Sequence, residues 1–594
     1  DVPRCSSGIT RINPMTTLLH PCRRSCASGA LYLTRGRDAR NYCVALICAL
    51  CFSLSIGTFL IPVFTAGSAF FSKPRLENTA AHPSPGTLQT GSPITPFFLP
   101  PGTPGAARFG ALFAQSVFQA LCSAVLACAV GFGAAFFFVK RSLRARALFP
   151  ALCAIPLAIP PLTMALAFLL SFGKNGLCTR TLGTLWGVST PRTFLYSASG
   201  VVIAHAWYNF PLALAIIARA WNTISADAED AARLLGARAY RVFYTITLPA
   251  LAGALRSSFL VIFLYCFFSL MMVLLLGGTT FTTLEVELYR SIRTQAAHPY
   301  ASTLALSQTF YALLMIWGVS TEESQQAQSC VARTRPLPTQ SIQGNIERIG
   351  FFALLCGILF FLILPLFSLV LHSITRHRAG RTVSFTLTAW HTLFSAPSFW
   401  HALRSTIWIG FWSFCVTVGS VLCYGYMVLM RHVSRWKTRL PFLPLAVSPM
   451  VLAFGWSLMP RCASRILLVC AQSALAFPFA WLSLYSTLMR IPTPVIFTGQ
   501  MLSRNRLDFF LRTICPLCKK GIVSAGVYAF ALSAADAAFP LVLEIPDFQS
   551  VALLLYRLSS TYRFAESSAL ALVLSLASSV LLIGVHRCKE YSYG

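Results

Sequence analysis

Gly350-Phe-Phe-Ala-Leu-Leu-Cys-Gly-Ile-Leu-Phe-Phe-Leu-Ile-Leu-Pro-Leu-Phe-Ser-Leu-Val-Leu371 runs for 22 residues without a charged side chain. As a helix rising 1.5 Å per residue, such a run crosses about 30 Å of hydrocarbon. Comparable runs recur along all 594 residues, which are 56% hydrophobic and only 11% charged. A soluble chain carries about a quarter charged residues, and one water-soluble core cannot absorb this much apolar surface. The excess must face lipid, so the expected fold is an all-α polytopic membrane protein.

The net charge of +30 would suggest a nucleic-acid partner in a soluble protein. In a membrane protein Lys and Arg instead gather in short cytoplasmic loops, where they set orientation and meet anionic lipid headgroups. Membrane lipids are therefore expected partners and nucleic acid is not. Most of the 20 Cys sit inside apolar runs, where Cys acts as a small hydrophobe. Cys515-Pro-Leu-Cys518 has C-x-x-C spacing but no second Cys or His pair to complete a zinc site, so these read as loop thiols and no metal is expected.

Hydropathy predicts about twelve spans. Six lie near 42–70, 109–139, 148–172, 198–218, 254–277 and 300–319, and six near 350–371, 401–430, 440–459, 466–488, 521–543 and 566–586. The first follows a basic leader (Arg23, Arg24, Arg35, Arg37, Arg40) and is too long for a signal peptide's apolar core, so it reads as a signal-anchor helix. With the N-terminus inside, cytoplasmic segments hold roughly twice the Lys and Arg of the external loops, which places both termini in the cytoplasm. The chain then divides into a basic leader (1–41), a first unit (42–320), a polar cytoplasmic linker (321–349), a second unit (350–587) and a short tail (588–594). The Pro- and Gly-rich stretch 72–108 reads as an irregular external loop.

The two units look like repeats. A gap-free shift of 267 residues lays Phe210-Pro211 on Phe477-Pro478 and Pro249 on Pro516. It also lays Phe281 on Phe548 and Leu288-Tyr-Arg290 on Leu555-Tyr-Arg557. Proline costs about 3 kcal/mol inside a helix, so prolines repeated at one offset carry more weight than repeated leucines. Two tandem homologous halves of about six helices each make a pseudo-dimeric membrane unit.

Between the fourth and fifth spans lies Ala226-Asp-Ala-Glu-Asp-Ala-Ala-Arg-Leu-Leu-Gly-Ala-Arg-Ala-Tyr-Arg-Val-Phe-Tyr-Thr-Ile-Thr-Leu-Pro-Ala250. Acids in the first turn, a break at Gly236 and a stop at Pro249 predict a helix–turn–helix at the membrane edge. By residue pattern alone this is a connector. Asp230-Ala231-Ala232, then Gly236, then Ile246-Thr-Leu248-Pro249 resembles the cytoplasmic E-A-A…G…I-x-L-P signature of permeases in ATP-binding-cassette importers, with Asp230 at the usual Glu position. The resemblance implies the type I importer permease fold and a coupling helix that docks on an ATPase. At the same offset the second half keeps little of the motif: Gly499, Ser503 and Pro516 stand in a basic loop.

Longer stretches are similar to fused thiamine permeases. They are Ser197–Pro211, Leu276–Tyr289, Ala531-Leu-Ser-Ala-Ala-Asp536 and Asp547–Arg563. Fused iron(III) permeases share the architecture. The resemblance implies a bacterial inner-membrane subunit that is not itself an enzyme, with two ATPase copies on the cytoplasmic face and a periplasmic solute-binding protein. No G-x-x-x-x-G-K-[ST] loop occurs, so ATP and Mg²⁺ are expected on the ATPase and no cofactor on this chain. Asp536 falls within a predicted span, where a carboxylate is costly; it reads either as lining the translocation path or as a helix-packing group. His205, Trp207, Tyr208 and Asn209 form a polar-aromatic patch that suits either packing or contact with a cationic solute. An ion-coupled carrier also fits twelve spans in two halves, but such carriers need intramembrane ionisable groups, which are scarce here, and it leaves the signature loop unexplained.

Overall fold

The computed structural model describes residues 105–141, 153, 155–157, 159–187, 195–278, 281–293, 298–320, 344–378, 381–430, 437–457 and 464–590. The predicted span 42–70, the leader, most of the Pro-rich loop and most of the linker lie outside the described residues. In the first half the helices are α1 (Gly105–Lys140), α2 (Pro161–Phe172), α3 (Leu177–Trp186), α4 (Ala198–Trp221), α5 (Ala226–Leu234) and α6 (Ala239–Val242). A π turn over Phe243–Thr247 leads into α7 (Leu248–Phe267), α8 (Met271–Leu276), α9 (Leu284–Arg293) and α10 (His298–Ser320).

The second half opens with α11 (Asn345–Ile374), a small antiparallel hairpin of β1 (Thr375–Arg378) and β2 (Arg381–Phe385), α12 (Thr388–Ser395) and α13 (Pro397–Met430). After a 3₁₀ segment over Lys437–Ala446 come α14 (Pro449–Ser457), α15 (Arg465–Leu488), α16 (Thr493–Leu502) and α17 (Arg506–Phe509). A second π turn over Phe510–Ile514 precedes α18 (Cys515–Leu517), α19 (Lys519–Ala535), α20 (Ala538–Leu543), α21 (Val551–Ser560) and α22 (Phe564–Glu590).

The 267-residue shift carries the boundaries of α4 through α9 onto those of α15 through α21 with two exceptions: α16 is one residue longer at its C-terminus, and the counterpart of α7 is broken at Cys518 and ends one residue later, at Ala535. Even the caps repeat: Ser197 and Ser464 each accept a hydrogen bond from the backbone N–H three residues on. The Leu284 N–H donates to Ser116 on α1 and the Val551 N–H donates to Thr406 on α13, both at 2.8 Å. Each half is built on three mutually packed helices, α1 with α4 and α7, and α13 with α15 and α19.

The halves interlock. Helix α11 of the second half lies against α2 of the first, with Phe361 stacked on Trp207 (4.8 Å, 17°) and on Phe168 (6.2 Å, 17°). At one end of the bundle Arg141 pairs with Glu347, and at the other Arg293 pairs with Glu544. One continuous buried cluster draws residues from both halves.

Among the described residues eight helices are long and apolar enough to span a membrane, or nine if the pair 506–517 and 519–535, bent by 77°, is one span. Of the about twelve spans expected, the one at 42–70 lies outside the described residues, and others miss that criterion for physical reasons. The apolar part of α10 is short (Tyr300–Ile316). The span expected at 440–459 is split by Pro441 and Pro444 into a 3₁₀ segment and the nine-residue α14. In the third span the described helix α2 starts at Pro161 and ends at Phe172, while residues 148–152 lie outside the described residues. Both fifth spans are interrupted at equivalent places, between α7 and α8 and between α19 and α20.

Candidate functional site: the loop between the fourth and fifth spans

Helix α5 starts where Ser225 turns its side chain back to accept from the Asp227 N–H at 3.2 Å, satisfying a donor that the helix leaves free. It ends at Gly236, whose φ of +82° places it in the left-handed region. The Ala237 N–H then reaches back to the Ala232 carbonyl at 3.0 Å, closing the helix end. A Cβ at Gly236 would meet nothing within 4 Å, so the glycine is required for its backbone angle and not for space.

Downstream, Pro249 has no N–H and its ring would strike the carbonyl four residues back. The chain answers with a wider turn in which the Leu248 N–H bonds to the Phe243 carbonyl, five residues earlier. The second half does the same at Pro516, where the Cys515 N–H bonds to the Phe510 carbonyl.

Two neighbouring acids on α5 have opposite environments. Asp230 is half-buried and meets Arg233 at 3.7 Å. Glu229 is buried, and both of its oxygens accept from Lys140 Nζ at the end of α1, at 2.6 and 2.5 Å. Thr247 donates to the same carboxylate at 3.0 Å, and Arg233 stands 3.6 Å away. The clamp therefore ties α5 to α1 and to the turn that leads into α7. Breaking a buried pair from one side leaves an uncompensated charge and costs about 3–5 kcal/mol. Sequence reading missed this group. Its signal was the pairing of buried Ala226 and Glu229 one turn apart, but the partner Lys140 is 89 residues away.

The exposed face carries Ala231 and the apolar tip Leu234-Leu235, each leucine 89% exposed. Of the expected docking residues, Ile246 and Leu248 are half-buried and Pro249 is exposed.

The second copy reproduces the shape with different chemistry. Ile496 and Ile514 stand where the first copy has Glu229 and Thr247, and Ile514 is buried among Phe509, Phe510 and Tyr426. Gly499 allows Phe509 to approach so closely that a Cβ there would lie 2.6 Å from its ring. Ser503 donates to the Gly499 carbonyl at 2.5 Å in an extended conformation, replacing the left-handed turn of Gly236. Met501 and Leu502, at the positions of Leu234 and Leu235, are again exposed (90% and 83%).

The residues expected along a translocation path each have their own partners. His205 is buried with Nδ1 2.9 Å from Gln119 of α1. Asn209 donates to the His205 carbonyl at 3.0 Å and to Cys266 Sγ at 3.5 Å, inside the first half. Trp207 faces α11, and the Tyr208 hydroxyl donates to the Ile159 carbonyl at 3.2 Å. Asp536 sits in the break between α19 and α20. It accepts from the Ala538 and Phe539 N–H groups at 3.1 and 3.3 Å and from Gln472 at 3.4 Å, as a helix cap does.

Paired bundles of helices long and apolar enough to cross a membrane, each with a short helix anchored beside its fourth and fifth spans, define a polytopic membrane protein. Residues 127–321 match the family of binding-protein-dependent transport system inner membrane components. Over 473 residues the chain is 25% identical to the thiamine transport system permease protein of Brucella abortus (strain 2308), covering 75% of this chain and 82% of that one. The thiamine transport system permease protein of Escherichia coli (strain K12) is 24% identical over 80% of this chain and 88% of its own. The ferric transport system permease protein of Actinobacillus pleuropneumoniae is 31% identical over 27% of this chain and 23% of its own. The family match covers about a third of the chain, and the similarity to the thiamine permeases extends through both halves.

Proposed function

We propose that this chain is the fused two-half permease of an ATP-driven bacterial importer that takes up thiamine handed over by a periplasmic binding protein. The chain lies in the inner membrane with both termini and both α5-type loops in the cytoplasm. Two copies of an ATPase subunit bind there and carry ATP and Mg²⁺, and this chain binds no cofactor and catalyses no reaction. The observation that carries the reading is the twofold recurrence, 267 residues apart, of an exposed apolar helix tip (Leu234-Leu235, Met501-Leu502) on a loop anchored to the spans.

Each tip, with the small side chains beside it, suits insertion into a cleft of the ATPase. Closure of the ATPase pair on ATP then pushes α5 and α16. In the first half the Lys140–Glu229–Thr247 clamp passes that push to α1 and α7 together. The halves rock only because ATP-bound and ATP-free ATPases contact the loops with different free energies.

The thiamine assignment rests on relatives matched across both halves, whereas similarity to the ferric permease covers one segment. In proteoliposomes with the ATPase, thiamine-loaded binding protein raises ATP hydrolysis, and Gly236→Pro abolishes that rise while the protein stays in the membrane. Stimulation by an iron-loaded binding protein instead would move the solute to iron(III). Uptake driven by a proton or sodium gradient without ATPase would overturn the importer reading.

A further inference from the structure

Where the two halves face each other inside the bundle, Tyr265 of α7 and Phe479 of α15 lie ring to ring, with centroids 6.4 Å apart and planes within 11° of parallel. Tyr208 of α4 and Tyr528 of α19 stand within electrostatic range of Tyr265. Tyr208 and Phe479 both lie about halfway along their 24-residue helices, so the group sits at mid-depth. Tyr265 is 42% exposed although it lies among four spans, which marks it as lining the seam and not as packed core.

The aromatics break the internal symmetry. At the 267-residue offset Tyr208 and Tyr265 become Leu475 and Leu532, while Phe479 and Tyr528 become Leu212 and Val261. Packing alone would be served by aliphatic side chains at all eight positions. The distribution instead gathers four aromatic rings, two from each half, around Tyr265. Both fifth spans are broken within about one to two turns of the cluster, after Phe267 and after Ala535. Interrupted helices at the midplane of a repeat interface are where membrane carriers bind their solutes.

We propose that Tyr265 and Phe479, flanked by Tyr208 and Tyr528, form a transient binding site for a flat organic cation crossing between the halves. Aromatic faces attract a cation within about 6 Å of the ring centroid, and a cation slipped between these two rings lies inside that reach of both. The inference deepens the importer reading and rests on it: the thiazolium of thiamine is such a cation.

The test is thiamine uptake per ATP hydrolysed, in proteoliposomes holding the permease, its ATPase and loaded binding protein. Tyr265→Phe keeps the ring face and stays within about twofold of the unmodified protein. Tyr265→Leu and Phe479→Leu, which copy the opposite half, lower uptake per ATP by about 3- to 30-fold and leave stimulated ATP hydrolysis intact. If the leucine variants fail to assemble, fluorinated phenylalanines at 265 decide the matter. Their shape is nearly constant while the ring face weakens, so uptake should fall with each added fluorine. Leucine variants that transport normally, a flat fluorine series, or loss of uptake in Tyr265→Phe would each overturn the site. Absence of thiamine uptake by the unmodified complex would instead sink the solute reading, with the variants not yet at issue.

Discussion

Glu229 and Asp230 are adjacent acids with different work to do, and helical geometry decides which does what. A helix turns 100° per residue, so one of two neighbours faces the membrane body while the next faces outward. Asp230 is on the solvent-facing side, where a partly exposed ion pair contributes little to stability. Glu229 is the anchor. Replacing Glu229 by Ala strands Lys140 in a buried site, and the detergent-solubilised protein should lose about 3–5 kcal/mol of stability, seen as a drop in melting temperature with weakened ATPase stimulation. Converting the whole clamp to aliphatic chemistry, with Lys140→Met, Glu229→Ile and Thr247→Ile, should recover most of that loss, because the second half already folds with Ile496 and Ile514 at the equivalent places. A triple variant no more stable than Glu229→Ala would show that the clamp is not an isolated unit.

At the scale of the element, the two loops reach one shape by different routes. Gly236 makes its turn with a positive φ, so Gly236→Ala carries only the left-handed penalty of about 1–2 kcal/mol and should retain most of the stimulated ATP hydrolysis. Gly499 is needed for space: Gly499→Val would drive a side chain into Phe509 and should abolish surface assembly of the second loop, measured as lost cross-linking to the ATPase. The prolines that made the repeat legible are also what shape it, since Pro249 and Pro516 each force the wide turn ahead of the fifth span. The chemistry of the second loop was not legible in the motif. Gly236 has become Ser503, and the conserved outcome is a set of backbone positions, not side chains. The Glu229–Lys140 pair was hidden for a different reason: it joins the end of α1 to α5, and no periodicity within either segment reports a contact 89 residues apart. Similarly, Asp536 read as an isolated intramembrane charge because a helix break at Ala535 cannot be seen in an uninterrupted apolar run.

For the whole molecule, the interlocking of the halves fixes where motion can occur. Tyr289 and Tyr556 are equivalent under the 267-residue shift, and they stand within electrostatic range of each other at the end of the bundle opposite the two loops. Arg293 and Glu544 tie the halves at the same end. A short thiol cross-linker between Tyr289→Cys and Tyr556→Cys should form readily without ATP and should stop uptake until cleaved. A pair that links only when ATP is present would mean that this end is open in the resting protein.

On the proposed function, the two exposed tips, Leu235 and Leu502, are the points where an ATPase grips a two-half membrane permease. It is tested most directly by placing a photo-cross-linking side chain at each position in the assembled complex and identifying what it captures. Both positions should capture the ATPase subunit, and a cytoplasm-impermeant reagent applied from outside should reach neither. Capture of no nucleotide-hydrolysing partner at either position, or labelling from the external side, would contradict the account.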